Sequence, residues 1–565
     1  MYTNIENLDI VISLLKQHNI RHIVISPGGT NQRLIWKIQE DSFFKCYSVV
    51  DERSAMYFAI GLYLQTGEII STCCTSAQAT RNYIPGLTEA FYKHTPILAI
   101  TMSKHPRFTY QEYMQAPDQT SLPKDSVKAS FCLPYLEDEN DFLHSQRVVN
   151  EAILELTHGN PGPVQLNIPW LDFKLDSEIH EVRTMQRLDM FTPWKLNLTN
   201  EKILIVVGEH LPFNENTQKA IECFCDKFNA VVYVNNLSNY HGKYTIKANL
   251  QMTTIKYEVF QNIYRPDIII SIGGQTGDYP LYHQLSKISL KGVEHWRVSQ
   301  DGAIVDTYDK LTKVFECTEE YFFNSFNTNI KNEHTYYDIW KSLLDKANIN
   351  VDIPFSNTYA AQVLHSLIPH NSYIQFSILN SLRTWNLFQF HHSIKCFSNV
   401  AAFGIDGGMS TLLGISMNTD QLCFMVIGDL AFLYDMNSLS IRDLKNNVRI
   451  LLINNNGGIE FKLHGEDRVL QNKYVAAADS FKNAQGWAES CGFCYMSANC
   501  KEEFNTKCKS FVQPSKKSIV FEIFVSDIDE SSAYRKLLDT NTDITEIDMI
   551  KRNIKKGIKT LLAKK

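Results

Sequence analysis

The chain has 565 residues, of which 44% are hydrophobic, and a formal net charge of −6. This length is too great for one hydrophobic core and predicts three domains. The slightly acidic balance argues against nucleic acid or an anionic membrane as a partner. No apolar run reaches the ~18 residues of a spanning helix, and the first residues lack the pattern of a signal peptide. Because the 13 cysteines are also scattered, we expect a reduced, cytoplasmic protein with no membrane partner.

The first part of the chain alternates strand-like and helix-like patterns. Short apolar runs predict strands at 22–26, 47–50, 68–75 and 96–101. Apolar residues at helical spacing predict helices at 7–20, from the turn at 27–30 to about 39, at 54–64 and at 76–92. Strands that alternate with helices in this way are typical of a parallel, doubly wound sheet.

The same alternation returns twice after a hydrophilic linker at 172–195. It predicts strands at 203–207, 267–271, 295–298 and 312–315, then at 373–377, 423–427, 449–453 and 518–524. Helices are predicted at 333–346 and 434–445, with an amphipathic helical tail at 545–565. The sequence thus predicts three doubly wound α/β domains with mainly parallel sheets, at 1–180, 190–345 and 355–565.

Polar residues follow two neighbouring strand-like runs of the third domain. Asp429, in the sequence Gly-Asp-Leu, comes directly after the run at 423–427, and three Asn and two Gly at 454–458 follow the run at 449–453. In open α/β sheets, ligands bind at the carboxyl ends of strands. Carboxylate, amide and carbonyl oxygens suit Mg²⁺, which also binds phosphate groups. The alternative is that Asp429 caps a helix and that the Asn-rich segment is only a turn.

Glu52 is a second candidate, because it follows the strand-like run at 47–50 and begins a helix. A carboxylate in this position also has a purely structural explanation, since it interacts favourably with the helix dipole. A buried Glu can instead act as a proton-transfer group, because burial raises its pKa.

The Gly-Asp-Leu segment and the Asn-Gly run resemble the diphosphate-binding motif of thiamine diphosphate (ThDP) enzymes. Within that superfamily they are most similar to the branch of SEPHCHC synthase, the menaquinone-pathway carboligase. The resemblance implies that Asp429, the Asn455 side chain and the Gly457 carbonyl oxygen hold Mg²⁺. It also implies that N–H groups after Gly428 bind the diphosphate, with Leu430 in place of the usual third glycine.

The resemblance extends to the first domain and to the segment before Asp429. Asp-Glu-Arg-Ser-Ala at 51–55 resembles the segment with the activating glutamate, so Glu52 would hydrogen-bond to the aminopyrimidine of ThDP. Ser76, in Thr-Ser-Ala, lies in another segment that matches the cofactor-binding first domain. Ile405, in Gly-Ile-Asp-Gly, would be the apolar wedge that bends the cofactor; a buried loop isoleucine is the structural alternative. The three domains would then be pyrimidine-binding, central and diphosphate-binding.

The sequence departs from this family where the substrate should bind. The family binds carboxylate-rich 2-oxoglutarate and isochorismate with several arginines, which suit bidentate pairing with carboxylates. The corresponding positions here are Thr30, Lys104, Asp278, Tyr279, Trp385 and Val400, of which only Lys104 is basic. Other candidate substrate residues are Arg33, three positions after Thr30; Gln115; Arg383; and Glu460 and Phe461, which directly follow the metal loop.

The resemblance therefore implies a ThDP- and Mg²⁺-dependent carboligase that decarboxylates a 2-oxo acid donor and transfers the product to a carbonyl or alkene acceptor. Glu460, in a position that is apolar in the family, favours an acceptor less anionic than isochorismate. The alternatives are SEPHCHC synthase itself, a simple 2-oxo acid decarboxylase, or a degenerate scaffold subunit. The resemblance also implies self-association through the first and third domains, as a homodimer or homotetramer, with each cofactor held between two chains. A central domain that binds a nucleotide at Gly273 and Gly274 is a further alternative to a structural one.

Overall fold

The computed structural model describes residues 4–170, 185–191, 193–194, 196, 198–287, 292–326, 332–463 and 481–542. The strands of these residues form three separate sheets, and every strand pair is parallel. With helices between the strands, this arrangement confirms the predicted α/β class. The linker predicted at 172–195 lies mostly, and the helical tail predicted at 545–565 wholly, outside the described residues.

The first sheet has the order β2-β1-β3-β4-β6-β5. Its strands are β1 His22–Ile25, β2 Lys45–Ser48, β3 Ile70–Cys74, β4 Ile97–Ser103, β5 Ala129–Cys132 and β6 Val164–Pro169. The helices around it are Asn4–Gln17, Gln32–Gln39, Glu52–Thr66, Gln78–Asn82, Ile84–Tyr92 and Glu139–Glu155. The central strands β1, β3, β4 and β6 are buried along their whole length, as expected for a parallel sheet covered on both faces.

The second sheet has the order β10-β9-β8-β11-β12-β13-β7. Its strands are β7 Gln186–Asp189, β8 Ile203–Val207, β9 Ala230–Tyr233, β10 Thr245–Ile246, β11 Ile268–Ile272, β12 Glu294–Val298 and β13 Leu311–Glu316. The accompanying helices are Glu215–Lys227, Asn249–Thr254, Tyr257–Val259, Tyr279–Leu285, Glu319–Asn324 and Thr335–Leu344. The edge strand β7 begins four residues before the domain limit predicted at 190; its polar sequence gives no strand pattern.

Two turns of this second sheet pack directly against each other. A Cβ atom at Gly208 would lie 1.7 Å from the backbone oxygen of Gly274, and one at Gly273 would lie 2.8 Å from the backbone oxygen of Glu209. Gly273 also has a φ of +75°, which favours glycine. These contacts account for the glycine pair by backbone packing, without a nucleotide phosphate.

The third sheet has the order β15-β14-β16-β17-β19-β18. Its strands are β14 Tyr373–Phe376, β15 Lys395–Ser398, β16 Cys423–Gly428, β17 Val448–Asn454, β18 Cys494–Ala498 and β19 Ile519–Phe524. The helices around it are Asn357–Leu364, Asn380–Trp385, Gly408–Met417, Asp429–Asp435, Glu460–Leu463, Gln485–Ser490, Lys501–Phe511 and Asp527–Thr540.

The helix predicted at 434–445 is wrong in its position. The α-helix between β16 and β17 begins at Asp429 itself, directly after the strand, and ends at Asp435. A short 3₁₀ segment, Met436–Ser440, follows it. The Asn, Ser and Asp residues at 437–447 explain the early end, because their side chains compete with the helical backbone for hydrogen bonds.

Hydrogen bonds fix the second domain against the third. Asn236 Nδ2 donates to the Trp385 carbonyl oxygen at 2.9 Å, and Asn239 Nδ2 donates to the Cys396 carbonyl oxygen at 2.9 Å. These bonds join the second sheet to the helix Asn380–Trp385 and to β15. No helix among the described residues is long and apolar enough to cross a membrane.

Candidate active site

Asp429 and the Asn-rich loop lie side by side because β16 and β17 are adjacent parallel strands. Asp429 is 4% exposed, and its two carboxylate oxygens accept from the backbone N–H groups of Leu430 at 2.8 Å and Gly457 at 3.0 Å. The carboxylate therefore fixes the loop after β17 against the helix after β16. Burial raises the pKa of Asp429 to about 6.

The oxygens at this loop fit a divalent cation bound to a diphosphate. Asn455 Oδ1 is buried and has no hydrogen-bond partner among the described residues. Such an unpaired acceptor is costly unless a ligand satisfies it. Together with the carboxylate of Asp429 it forms a set of hard oxygen donors, which suits Mg²⁺. A Cβ atom at Gly428 would meet nothing within 4 Å, so space for a phosphate lies directly in front of the helix.

Glu52 is the first residue of the helix Glu52–Thr66, and Asp51 caps that helix by accepting from Ser54 N at 2.9 Å. Glu52 is only 5% exposed, and burial raises its pKa to about 7. Asn82 Nδ2 donates to Glu52 Oε2 at 3.4 Å, and Tyr434 Oη lies 3.2 Å from the same oxygen. A solvated carboxylate at the start of a helix would be exposed and would have an ordinary pKa, so Glu52 does not match that alternative.

The structure brings Glu52 and Asp429 to one pocket within a single chain. Tyr434, on the helix that begins at Asp429, donates to the Val50 carbonyl oxygen at 2.5 Å as well as approaching Glu52. The cavity that this pocket encloses has a volume of about 180 Å³, and the cleft around it opens to solvent. The described residues of one chain line both ends of the site, whereas the resemblance implied a cofactor held between two chains.

All eight predicted cofactor residues line this pocket. They are Glu52, Ser76, Ile405, Gly428, Asp429, Leu430, Asn455 and Gly457. The Ser76 hydroxyl is a second buried polar atom without a hydrogen-bond partner in the described chain, and Ser76 is 2% exposed. Ile405 is part-buried and packs against two apolar clusters of the third domain. Of the predicted substrate residues, Gln115 and Glu460 also line the pocket.

The remaining predicted substrate residues lie elsewhere or have partners. Thr30 is buried; its hydroxyl lies 2.8 Å from that of Thr75 and accepts from Ser76 N at 2.9 Å. The guanidinium of Arg33 lies 4.8 Å from the ring centre of Trp170. Lys104 Nζ lies 6.0 Å from the ring centre of Tyr113. None of these three lines the pocket, so they support its wall or lie outside it.

Arg383 forms a bidentate ion pair with Glu460, with both N–O distances at 2.8 Å. Phe461 belongs to the same short helix as Glu460, but its side chain lies outside the described part of the structure.

Strained backbone also marks this pocket. Gln115, Leu379 and Phe403 line it with φ values of +61°, +63° and +58°, and Ala77, next to Ser76, has a φ of +73°. Left-handed conformations are unfavourable for non-glycine residues and often occur at ligand sites.

Sequence patterns did not reveal Tyr434 and Asn82 as neighbours of Glu52. Tyr434 looks like an ordinary apolar helix residue, and 382 positions separate it from Glu52. Only the packing of the first sheet against the third brings these side chains together.

Comparison with known proteins agrees with this geometry. Residues 6–122 match the family model described as thiamine pyrophosphate enzyme, N-terminal TPP binding domain. The fold and this match define the chain as an enzyme of the thiamine diphosphate-dependent class.

Similarity over nearly the whole chain defines the family more closely. The 2-succinyl-5-enolpyruvyl-6-hydroxy-3-cyclohexene-1-carboxylate (SEPHCHC) synthase of Phocaeicola vulgatus is 30% identical over 559 residues, covering 95% of this chain and 98% of that protein. The synthase of Bacteroides thetaiotaomicron is 30% identical over 549 residues, covering 93% and 96%. That of Flavobacterium psychrophilum is 29% identical over 554 residues, also covering 93% and 96%. The chain belongs to the SEPHCHC synthase family of ThDP enzymes, and it catalyses ThDP-dependent decarboxylation of a 2-oxo acid with carboligation.

Proposed function

We propose that this enzyme requires Mg²⁺ as well as ThDP and joins the decarboxylated donor to an acceptor less anionic than isochorismate. The observation that supports the proposal best is the composition of the pocket wall. Four acidic residues, Glu52, Asp406, Asp429 and Glu460, line the pocket, and none of the described lining residues is Lys, Arg or His. An aldehyde, a ketone or a sugar derivative fits such a wall better than an acceptor with two carboxylates.

Asp429, Asn455 and Gly457 would hold Mg²⁺ and, through it, the diphosphate of the cofactor. The Asn455 Oδ1 atom, which has no hydrogen-bond partner in the described part of the chain, and the open space at Gly428 support this role. When it is bound, ThDP would supply a carbon atom that adds to the 2-oxo acid and accommodates the negative charge left when CO₂ departs. The chain itself would position the metal and the diphosphate, because Asp429 fixes the loop after β17.

Glu52 would hold or release a proton at Oε2 at the other end of the pocket. Its pKa of about 7 allows both protonation states at neutral pH, which suits a group that exchanges protons during turnover. Tyr434 and Asn82 orient the carboxyl group. Apolar side chains such as Ile378, Phe403 and Ile405 exclude water from the wall between the two ends.

Electrostatics argues against two strongly anionic substrates in this pocket. Like charges about 4 Å apart repel by about 1–4 kcal/mol between the dielectric of water and that of a protein surface. Part of the acidic charge is compensated, since Glu460 pairs with Arg383, and Mg²⁺ would compensate Asp429. Nevertheless, no basic side chain of the described lining residues faces the substrate space.

The second candidate is SEPHCHC synthase activity itself, which the names of the relatives favour. The deciding experiment follows CO₂ release and product formation with 2-oxoglutarate or a monocarboxylic 2-oxo acid as donor, each combined with isochorismate or with a panel of aldehydes and ketones. We expect weak ligation to isochorismate and faster ligation to a neutral acceptor. Efficient use of isochorismate would refute the altered acceptor, and CO₂ release without ligation would indicate a simple decarboxylase.

Self-association through the first and third domains also belongs to this proposal, as do the domain limits 1–180, 190–345 and 355–565. The resemblance to ThDP enzymes implies a homodimer or homotetramer, which light scattering on the ThDP-loaded protein would test. A monomer at micromolar concentration would contradict it.

A further inference from the structure

Arg383 and Glu460 form an ion pair beside the substrate space. Arg383 lies on the helix Asn380–Trp385, and Glu460 begins the short helix after the Asn-rich loop. Nη1 of Arg383 donates to Oε2 of Glu460, and Nη2 donates to Oε1, both at 2.8 Å. The two side chains are 17% and 24% exposed, so the pair is mostly shielded from water.

The Glu460 carboxylate therefore occupies the edge of the Arg383 guanidinium through which arginine binds carboxylates. A planar guanidinium pairs bidentately with one carboxylate at a time through this edge. Burial alone would lower the pKa of Arg383, but the Glu460 carboxylate raises it above its ordinary value, so the arginine remains charged. The cation is therefore present, and the chain itself supplies its carboxylate.

The position of the pair relates it to the substrate. Glu460 lines the pocket, and so do Asn380 and Ser381 on the helix that carries Arg383. A substrate carboxylate that replaced the carboxylate of Glu460 would meet the same two nitrogens. Glu460 thus occupies the place that a second carboxylate of a substrate would take.

We propose that Glu460 determines donor specificity by occupying the carboxylate-binding edge of Arg383, so that the donor is a monocarboxylic 2-oxo acid. This inference rests on the proposed function and adds the substrate class. A dicarboxylic donor such as 2-oxoglutarate would have to displace the Glu460 carboxylate from the guanidinium and separate the two charges in a shielded position, which is unfavourable.

The test compares two donors of equal chain length, 2-oxovalerate and 2-oxoglutarate, with the full-length enzyme loaded with ThDP and Mg²⁺. The variants are Glu460→Gln, which keeps the side-chain shape without the charge, and the double variant Arg383→Gln/Glu460→Gln as the matched control. The measured quantity is the ratio of kcat/KM for CO₂ release from the two donors.

We expect the wild-type enzyme to prefer 2-oxovalerate. Glu460→Gln should shift the ratio at least tenfold towards 2-oxoglutarate, and the double variant should lose that shift because the guanidinium is gone. Equal use of both donors by the wild type, an unchanged ratio in Glu460→Gln, or the same shift in the double variant would each overturn the proposal.

Binding of glutarate, an unreactive dicarboxylate, gives a second measurement that does not depend on turnover. Calorimetry and thermal unfolding should show binding to Glu460→Gln, with a raised Tm even if the unpaired arginine destabilises this variant, and at least tenfold weaker binding to the wild type and the double variant. Equal binding to all three contradicts the role of Glu460. Failure of the wild type to decarboxylate either donor would instead contradict the proposed function.

Discussion

Glu52 shows how burial changes the chemistry of one residue. An exposed helix-start glutamate is an ordinary carboxylate, whereas this one is 5% exposed beneath Tyr434 and Asn82. Desolvation disfavours its charged form and raises its pKa to about 7. The same side chain can therefore hold a proton at neutral pH, which an exposed glutamate does not.

Replacing Glu52 by Gln tests the catalytic role. Glu52→Gln keeps the size and much of the hydrogen bonding but cannot exchange a proton, so we expect kcat for CO₂ release to fall at least ~100-fold. ThDP binding, measured by calorimetry with Mg²⁺, should change by less than ~10-fold. Asp51→Asn is the matched control, because it changes the adjacent carboxylate to another good helix cap. Near-normal turnover of Glu52→Gln would remove Glu52 from the mechanism.

The raised pKa of Glu52 also predicts a pH-dependent stability difference in the protein without cofactor. The folded chain holds this proton up to about pH 7, whereas an ordinary Glu loses it near 4.5. Wild-type stability should therefore fall, relative to Glu52→Gln, as the pH rises from 4.5 to 7. Since one pKa unit corresponds to about 1.4 kcal/mol, the variant should be more stable by up to about 3 kcal/mol above pH 7.

Urea denaturation of both proteins at pH 5 and pH 8 measures this difference. The two free energies of unfolding should converge at the lower pH and separate at the higher one. A difference that is constant with pH would show that Glu52 titrates as an ordinary carboxylate in the folded chain.

At the scale of elements, the ends of β16 and β17 form the metal loop. Asp429 joins the two strand ends through Leu430 N and Gly457 N, and Asn455 Oδ1 remains without a hydrogen-bond partner in the described structure. Adjacent parallel strands place these oxygens together, so the site depends on the strand pairing rather than on either motif alone.

Asp429→Ala should abolish Mg²⁺-dependent binding of ThDP. The variant removes the carboxylate ligand and the hydrogen bond from Gly457 N that holds the loop, so calorimetry should show at least ~100-fold weaker binding. Asp420→Ala, which changes a carboxylate exposed at 96%, is the control and should bind normally. Addition of a chelator to the wild type should reproduce the defect of Asp429→Ala. Wild-type affinity in the variant would place the metal elsewhere.

Two turns of the first sheet make a second element-scale prediction. A Cβ atom at Gly28 would lie 2.3 Å from Thr75 Cβ, whereas one at Gly29 would meet nothing within 4 Å. Gly28→Ala should therefore push apart the turns after β1 and β3 and cost about 1–3 kcal/mol. Gly29→Ala should change the free energy of unfolding by less than about 0.5 kcal/mol. Denaturant unfolding of the two variants compares them directly, and equal stability would contradict the close approach.

At the scale of the whole molecule, the sequence was sufficient for the class of fold and for the local motifs. The buried strands β16 and β17 produce apolar runs, and Asp429 and Asn455 directly follow them, so their positions at strand ends could be predicted. Glu52 instead lies four positions after the end of the partly exposed strand β2. The short helix Asp429–Asp435 and the polar edge strand β7 could not, because their sequences lack a clear period.

Contacts between distant segments account for what the sequence did not reveal. Tyr434 reaches Glu52 from the other end of the chain, and Arg383 meets Glu460 across 77 positions. Neither pair has a local signature, since Tyr434 meets Glu52 only when the first and third domains pack, and Arg383 meets Glu460 only when the third domain folds. The pairing of Arg383 matters most, because in the sequence alone it looks like a free arginine suited to a substrate carboxylate.

The central claim is that Glu52 and the metal loop act on opposite ends of one cofactor. The most direct measurement is a crystal structure of the protein with ThDP and Mg²⁺. We expect the Glu52 carboxyl to hydrogen-bond to the aminopyrimidine, and oxygens of Asp429, Asn455 and Gly457 to coordinate the metal at the diphosphate of the same molecule. A bound cofactor that touches only one of these two places would contradict the account.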